Sequence, residues 1–235
     1  MAPMPLNKYI AHAGFCSRRR AVAYIQQKKV LVNGVIITEP GHKITATDHV
    51  VIDRVLLQSQ EMVYILLNKP KNCVSTVSDE RGRTTVLDII KGASNQRIYP
   101  VGRLDRNTTG LLLLTNDGAL TQKLSHPKYQ VQKIYHVTLD KLVITRDIDQ
   151  IKKGVFLEDG KVHVDDIAYL AASKKKIKIT LHSGKYRVIR RLFQKLGYEV
   201  MALDRVQYAH FTKHHLPRGA WYYVTKEEIQ KIKYH

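Results

Sequence analysis

Hydrophobic and polar positions near the start of the chain predict a small helical module. An apolar-periodic segment from Leu6 to Ala13, a turn at Gly14 and a second helix opening at Ser17 predict two consecutive helices. Asn33-Gly34 lies between VLV and VII, and this dipeptide between apolar runs is a strong signal for a two-residue hairpin. Residues 6–57 are therefore expected to form a helix-helix-hairpin unit.

Beyond a short polar stretch at residues 58–61, the pattern changes to strands that alternate with short helices. Apolar or alternating segments predict strands near residues 63–68, 111–115, 134–139, 176–182 and 221–224. Helical periodicity predicts helices near residues 119–125, 147–153 and 187–196. The chain is thus expected to be of the α+β class, with one domain over residues 1–60 and a second over residues 61–235.

The most unusual polar position is Asp105, which stands between Arg103 and Arg106, shortly before an apolar run. The run at residues 111–114 predicts a buried strand, which the turn at residues 116–118 closes. Nearby guanidinium groups favour the ionised form of an acid, and an ionised carboxylate partly shielded from water is a competent nucleophile. A surface ion pair is the alternative interpretation, because structural ion pairs also perturb acids.

The charge balance indicates a polyanionic partner. The chain has 39 Lys and Arg against 20 Asp and Glu, a formal net charge of +19, and such an excess costs the folded state self-repulsion. Residues 1–60 carry eight of these cations against three acids, which leaves 31 against 17 for the remainder. RNA or DNA is the first expectation and a membrane surface is the rival, and both parts of the chain are basic enough to contact phosphate.

Three arginines open the second predicted helix directly after its N-cap candidate, Ser17. Positive charge at residues 18–20 opposes the helix dipole by roughly 0.3–1 kcal/mol for each side chain. A helix N-terminus with three guanidinium groups would instead make a good phosphate cradle. Arg18, Arg19 and Arg20 are therefore candidates for nucleic-acid contact, and a solvated charged face is the alternative.

Several classes of protein and site are not indicated. No apolar run approaches the roughly 20 residues of a membrane span, and the start MAPMPLNKY lacks the regions of a signal peptide. A cytoplasmic protein without membrane contact is expected. Neither the two cysteines, Cys16 and Cys73, nor His210, His214 and His215 have metal-ligand spacing. Because no Gly-rich phosphate loop is present either, neither a metal nor a nucleotide cofactor is expected.

A second basic element follows later in the chain. From residue 167 to residue 198 there are nine Lys and Arg and no acid. Overlapping the end of this stretch, SGKYRVIRRLFQKLGYEV at residues 183–200 predicts a glycine turn and an amphipathic helix. Solvated helices normally intersperse acids for pairing, so this composition indicates a phosphate-facing surface or an arginine reserved for a carboxylate elsewhere.

Two motifs carry a family resemblance. GRLDRNTTGLLLLTNDG resembles the signature of the pseudouridine synthases that modify ribosomal RNA, and LNKYIAHAGFCSRRRAVAYIQQKKVLVNG is similar to the S4 RNA-binding domain. The resemblance implies an S4-like helix-helix-hairpin domain, followed by a synthase domain on a mixed, mainly antiparallel sheet with flanking helices. RGRTTVLDII, LSHPKYQV and GVFLEDG are similar to the branch that acts on 23S rRNA; sister enzymes act on other 23S sites or on 16S rRNA.

The resemblance also implies roles for individual residues. Asp105 matches the nucleophile, Tyr135 matches a tyrosine that lies under the target uracil, and Arg190 matches the partner of the aspartate. Such enzymes need no cofactor. From the residues alone, a tyrosine at a strand start such as Tyr135 is more often a core-packing residue with a satisfied hydroxyl. Ser183 and Val188 differ from the residues that are usual in the family at these positions. This leaves the local hydrogen bonding open, but it does not affect the match of Arg190.

The sequence therefore predicts an enzyme that isomerises uridine in ribosomal RNA as a monomer. The residues expected to bind RNA or substrate around the three catalytic candidates are Arg103, Arg106, Arg18, Arg19, Arg20, Lys133, Lys185, Arg187 and Arg191. A noncatalytic RNA-binding or ribosome-assembly protein is the alternative, in which Asp105 is only structural. A DNA-binding protein fits less well, because the helix pair is followed by a hairpin and a domain with catalytic features.

Overall fold

A computed structural model of the protein describes residues 3–170 and 173–232. The chain forms two compact units. The first comprises Met1–Val63 with Ser94–Ile98 and Asn116–Gly118, and the second comprises Tyr64–Ala93, Tyr99–Thr115 and Ala119–His235. Residues 1–2 and 233–235, the outer ends of the two predicted domains, lie outside the described part, and the predicted boundary near residue 61 stays a prediction.

The first unit contains the predicted helix pair and hairpin. The elements are α1 (Leu6–His12), α2 (Arg18–Gln26), β1 (Met4–Pro5), β2 (Val30–Val32), β3 (Val35–Ile36), β4 (Lys43–Ile44), β5 (Val50–Ile52) and β6 (Val55–Leu56). Strands β3, β2, β5 and β6 form an antiparallel sheet in that order, and β1 pairs with β4. Asn33 and Gly34 turn the β2–β3 hairpin with positive φ angles of 51° and 80°, as a primed two-residue turn requires.

The core of the first unit lies between the helices and the sheet. Leu6 and Ile10 of α1 pack with Ile25 of α2 against the buried sides of β2 and β5. The side chain of Ser17 accepts a hydrogen bond from the backbone N–H of Arg20 at 3.2 Å, so Ser17 is the N-cap of α2. Residues 18–20 are exposed at this helix start, where their guanidinium groups are free to meet a solvent-borne anion.

The second unit is built on one large sheet with flanking helices. Its strands are β7 (Tyr64–Lys69), β8 (Tyr99–Pro100), β9 (Thr109–Thr115), β10 (Lys133–Leu139), β11 (Val155–Leu157), β12 (Gly160–Val162), β13 (Asp166–Leu170), β14 (Ser173–Leu181), β15 (Val200–Tyr208), β16 (Phe211–Thr212) and β17 (Trp221–Tyr223). Its helices are α3 (Val86–Ile89), α4 (Gly118–Ser125), α5 (Thr145–Lys153), α6 (Val188–Lys195) and α7 (Lys226–Gln230). None of the helices in the described residues is long and apolar enough to cross a membrane.

The sheet order is β13-β14-β10-β15-β9-β7-β17, with β8 beside β9 and β16 beside β15. The β9–β15 pair is parallel and the other described pairs of this sheet are antiparallel. The predicted mixed, mainly antiparallel sheet is thus confirmed. Strand β15 at its centre was not predicted, because polar Asp204 and Arg205 interrupt the apolar pattern there, and β13 was not predicted either.

Strand β9 and helix α6 form where the sequence has apolar residues that can be buried. Strand β9 is buried along its whole length, as expected for a central strand covered on both faces. Helix α6 buries Val188, Ile189, Leu192 and Phe193. It begins at Val188 and not at residue 187 as predicted, because Arg187 is its N-cap and has a left-handed backbone with φ 46°. Because Arg187 is the N-cap, its backbone does not follow the helical conformation of the residues after it.

Candidate active site

A cavity of about 220 Å³ lies in the second unit, beside the loop that carries Asp105. Its walls come from that loop, from β10 and β15, and from the segment that leads into α6. The lining contains one carboxylate, Asp105, and six cationic side chains: Arg103, Lys133, Lys185, Arg187, Arg190 and Arg205. So strong an excess of positive charge in a concave site favours an anionic occupant.

Asp105 meets two arginines of the segment that enters α6. Its Oδ2 lies 3.6 Å from Nε of Arg187 and 3.8 Å from Nε of Arg190. Both separations are ion-pair contacts longer than a hydrogen bond, and catalytic contacts often shorten when substrate binds. Among the described residues, Arg187 and Arg190 are thus the arginines within ion-pair distance of Asp105. The family resemblance had implied Arg190 as this partner, whereas the chain neighbours Arg103 and Arg106 make no ion pair with Asp105 in the described structure.

Arg190 is the more buried of the two partners. Its side chain is 19% exposed, against 47% for Arg187, and its Nη1 donates a hydrogen bond to the carbonyl oxygen of Val200 at 2.9 Å. Burial and the neighbouring charge of Arg187 lower the pKa of Arg190, while Asp105 opposes that change. Arg190 is thus anchored by β15 on one side and attracted by the carboxylate on the other.

The backbone around Asp105 is held by two buried side chains. Nζ of Lys69 donates to the carbonyl oxygens of Asp105, Arg106 and Thr108 at 3.1, 3.2 and 2.9 Å. Oγ of Ser75 donates to the carbonyl oxygen of Leu104 at 2.9 Å and accepts from its N–H at 3.1 Å. Lys69, at the end of β7, and Ser75 therefore hold the backbone of the Asp105 loop in place.

Lys69 is an unusual residue because it is completely buried at the end of β7. Burial lowers its pKa to about 8, against the opposing influence of Cys73 and Asp105, so it is still mainly protonated at neutral pH. A buried ammonium group is tolerated only when its hydrogen bonds are made, and Pro70 supplies a fourth carbonyl at 3.0 Å. Asn68-Lys69-Pro70 therefore joins the sheet to the Asp105 loop.

Lys69→Met is expected to destabilise the fold and to lower turnover. The substitution leaves buried carbonyls without donors, which costs on the order of 3 kcal/mol and lowers Tm by roughly 6–12 °C. Turnover should fall more than tenfold, since Asp105 loses its backbone support. Thermal unfolding and single-turnover assays measure both effects. Exposed Lys71 provides the matched control, and a Lys69→Met variant that behaved like Lys71→Met would contradict this role.

Tyr135 and Lys133 lie together on β10 and both line the cavity. Tyr135 is buried. Nζ of Lys133 donates to the carbonyl oxygens of Val131 and His182 at 3.0 and 2.9 Å. Burial, and then the charge of Arg205, lower the pKa of Lys133 to about 8. The structure thus brings Tyr135 into one site with Asp105 and Arg190, and backbone contacts hold Lys133 in the cavity wall.

Other predicted residues lie outside this cavity or are already engaged. Arg191 makes a bidentate contact to Asp159, 2.9 Å at each guanidinium nitrogen. Lys185 lines the cavity, but its Nζ donates to the carbonyl oxygen of Asp159 at 2.6 Å. Asp159, in the β11–β12 turn, therefore binds both Lys185 and Arg191. Arg106 borders a neighbouring cavity of about 410 Å³, and residues 18–20 belong to the first unit.

Sequence reasoning missed the roles of two buried cations, Lys69 behind the Asp105 loop and Arg205 in the cavity lining. Both are buried, and both depend on carbonyl partners far along the chain, at Thr108 and Leu111. The available signal was a charged residue inside an otherwise apolar strand pattern, YILLNK and VMALDRVQY, which is rare without a buried partner. Within the described part of the chain, no group of three or more His, Cys, Asp or Glu could hold a metal ion.

Two family models match the chain. Residues 63–195 match the RNA pseudouridylate synthase family and residues 4–50 match the S4 domain. The first match covers more than half of the chain and contains the Asp105 loop, β10 and α6.

The chain belongs to the RNA pseudouridylate synthase family.

Relatives support the membership along nearly the whole synthase. It is 40% identical over 232 residues to ribosomal large subunit pseudouridine synthase B of Bacillus subtilis (strain 168), covering 97% of this chain and 95% of the relative. It is 31% identical over 243 residues to the protein of the same name from Buchnera aphidicola subsp. Baizongia pistaciae (strain Bp), covering 97% and 96%. A solved pseudouridylate synthase structure matches with a TM-score of 0.69 at 28% identity, over 97% and 99% of the two chains.

The membership decides between the classes of function that the sequence left open. The synthase is an isomerase that acts on uridine in RNA, and its S4 domain makes RNA its partner. A noncatalytic RNA-binding protein is therefore disfavoured, as is a DNA-binding protein. The cationic lining of the cavity is compatible with an RNA substrate, because RNA carries one negative charge at each phosphate.

Proposed function

We propose that the synthase converts a specific uridine of 23S rRNA to pseudouridine, with Asp105 as the nucleophile. The observation that carries the proposal is the position of Asp105, whose carboxylate is the one acid in a cavity lined by six cations and lies between Arg187 and Arg190. The names of the Bacillus subtilis and Buchnera aphidicola relatives support the large-subunit substrate.

The proposed reaction is balanced within the substrate. The bond from C1′ to N1 breaks and its electron pair stays on N1, so the detached uracil carries negative charge. The uracil turns, C5 bonds to C1′, the C5 proton leaves and N1 takes up a proton. No oxidant, reductant or second substrate enters. The base must be flipped out of its helix to reach the site, at a cost of a few kcal/mol that RNA-backbone contacts offset.

The cavity residues have separate proposed roles. Asp105 has two possible roles. It attacks C1′ as the bond to N1 breaks, and the ester bond so formed breaks when C5 bonds to C1′; or it removes a sugar proton to form a glycal and returns that proton when C5 bonds to C1′. Its exposure in the free protein leaves it open to the sugar. Tyr135 contacts the base and assists loss of the C5 proton. Arg190, held by Val200, orients the carboxylate. Arg103, exposed where two cavities meet, occupies the space that the flipped base vacates.

The cationic lining supports binding of the target nucleotide and its neighbours. Exposed arginines such as Arg103 and Arg187 are suited to phosphates, whose oxygens accept paired guanidinium hydrogen bonds. Lys133 lies deeper, with its ammonium group on two carbonyls. Contacts to phosphate position the RNA without reading its sequence, so the choice of uridine depends on the shape of the surrounding RNA loop.

The S4 domain is proposed to supply RNA affinity through the start of α2. Replacing Arg18, Arg19 and Arg20 together by Ala should weaken RNA binding and lower the salt slope of log affinity by about one for each lost phosphate contact. The helix should persist, because Ala favours it and Ser17 remains the cap. Binding titrations at several salt concentrations measure this, and an unchanged slope would contradict the assignment.

The substrate class is tested by incubating the purified protein with unmodified 23S and 16S transcripts and mapping pseudouridine at single-nucleotide resolution. The proposal expects one or a few new pseudouridines in 23S rRNA, also in precursor particles if folded RNA is required. Modification confined to 16S rRNA would overturn the large-subunit assignment while keeping the enzyme. The monomeric state, the cytoplasmic location and the boundary near residue 61 remain predictions.

A further inference from the structure

Arg205 is a buried cation that the proposed chemistry has not yet used. It lies on β15, lines the cavity beside Asp105 and is 3% exposed. Its Nε donates to the carbonyl oxygen of Leu111 at 2.7 Å, and its guanidinium carbon lies 4.5 Å from the ring centre of Tyr208. Its Nη2 is buried and has no hydrogen-bond partner among the residues that the structure describes.

An unpaired buried donor on a charged group is energetically costly, and native proteins rarely keep one without a reason. Here the group borders the one cavity that contains Asp105, Tyr135 and Arg190 together. Burial, and then the charge of Arg205, lower the pKa of Lys133, another residue of the cavity lining. A ligand oxygen that meets the Arg205 guanidinium where this residue lines the cavity would be attracted by its charge.

The strand register places this arginine next to the catalytic candidates. Arg205 is directly opposite Tyr135 in the β10–β15 pair and opposite Gly110 in the β9–β15 pair. Residues paired across a sheet project from the same face with neighbouring Cβ atoms, so Arg205 and Tyr135 share the floor of the cavity. Gly110 continues the chain from the Asp105 loop, which brings nucleophile, tyrosine and arginine around one small volume.

Depth distinguishes the occupant. Phosphates stay at the surface of the RNA and are matched by the exposed arginines of the rim, whereas a flipped base enters furthest. Uracil presents two carbonyl oxygens, O2 and O4, that accept hydrogen bonds and become more negative when the bond to N1 breaks. A donor that meets this growing charge in a shielded site stabilises the transition state more than the ground state.

We propose that Arg205 is a further catalytic residue, whose guanidinium binds one carbonyl oxygen of the target uracil and stabilises the detached base. This role rests on the proposed function. Arg205→Met is expected to lower the single-turnover rate by roughly 10²–10³-fold, the effect typical of losing one such donor. RNA affinity should stay nearly unchanged, because the backbone contacts are made by other cations.

The test combines protein and substrate substitutions. A short RNA containing the mapped target carries uridine, 2-thiouridine or 4-thiouridine at that position, and sulfur is the weaker acceptor. Single-turnover rates are measured for the unmodified protein, Arg205→Met and Arg205→Lys, with Lys178→Met as control, since Lys178 pairs with Asp166 outside the cavity. Thermal unfolding of each variant shows whether it is folded, and Arg205→Lys keeps the charge if Arg205→Met does not fold.

The effect of substituting Arg205 and the effect of replacing one of the two uracil oxygens by sulfur are expected to be non-additive. One thio-substitution should slow the unmodified protein roughly tenfold, which is 1.4 kcal/mol, and should have little further effect in the Arg205 variants. Equal slowing of all proteins by both thio-substitutions, or no slowing of the unmodified protein by either, would overturn the role of Arg205. Absence of product from uridine RNA with the unmodified protein would instead contradict the proposed function itself.

Discussion

Asp105→Asn is expected to abolish pseudouridine formation while leaving RNA affinity nearly unchanged. An amide of the same shape keeps the loop contacts of Lys69 and Ser75, because these are made to backbone atoms. It cannot attack C1′ or remove a sugar proton, and loss of a nucleophile lowers turnover by roughly 10⁴-fold or more. Single-turnover assays with a 23S fragment and a binding titration measure the two properties separately.

The matched control for Asp105→Asn is Asp166→Asn. Asp166 also pairs with a cation, Lys178 at 3.3 Å, but it lies on β13 away from the cavity. Its substitution should leave the rate within twofold, as is typical of exposed ion pairs that contribute about 1 kcal/mol or less. Residual activity of Asp105→Asn within about tenfold of the unmodified protein would show that another group is the nucleophile.

Gly110→Ala is expected to disrupt the centre of the catalytic sheet. A Cβ at residue 110 would lie 2.2 Å from the carbonyl oxygen and 2.5 Å from the backbone nitrogen of Arg205. Gly110 also has φ +106°, a conformation that L side chains rarely adopt. The parallel β9–β15 pair must therefore separate, at a cost of about 4 kcal/mol or more and a fall in Tm of at least about 8 °C.

The functional consequence of Gly110→Ala follows from what the two strands carry. Strand β9 continues from the Asp105 loop, and Arg205 of β15 faces the same cavity, so any variant that folds should lose most of its activity. Gly92→Ala is the control, since Gly92 has φ +83° but open space around its Cβ position. Equal unfolding temperatures for the two variants would show that backbone conformation and not crowding decides the effect.

Local sequence motifs were enough to predict the helix pair and the Asn33-Gly34 hairpin, because these elements depend on short-range signals, which are caps, turn residues and apolar runs. The mixed sheet was implied by the family resemblance. The resemblance also placed Asp105, Tyr135 and Arg190 in one site, and the structure brings all three to the same cavity. Their roles in catalysis remain predictions until the variants are measured.

Features that depend on distant partners could not be read from the chain. The apolar strand patterns around Lys69 and Arg205 mark both charges as unusual. The sequence does not name their partners, which are carbonyls up to 39 and 94 positions away. Strand β15 was missed for the same reason, since Asp204 is stabilised by Thr109, Lys213 and Arg218. Burial opposes ionisation of Asp204, but these hydrogen bonds lower its pKa to about 2.

The start of α6 shows a different limit. Its apolar positions predicted the helix and its buried face, but Arg187 was placed inside it. The left-handed backbone of Arg187 is costly for a residue with a Cβ, and it is compensated by contacts, including the ion pair to Asp105. A propensity argument over neighbouring residues cannot include a carboxylate more than 80 positions earlier in the chain.

The most direct test of the central claim is tritium release from 23S rRNA labelled at C5 of uridine. Isomerisation exchanges the C5–H bond for a C5–C1′ bond, so each turnover releases one labelled proton. The account predicts release by the unmodified protein in an amount that matches the mapped sites, and none by Asp105→Asn. Absence of release from 23S rRNA, both as free transcript and in large-subunit precursor particles, would contradict it.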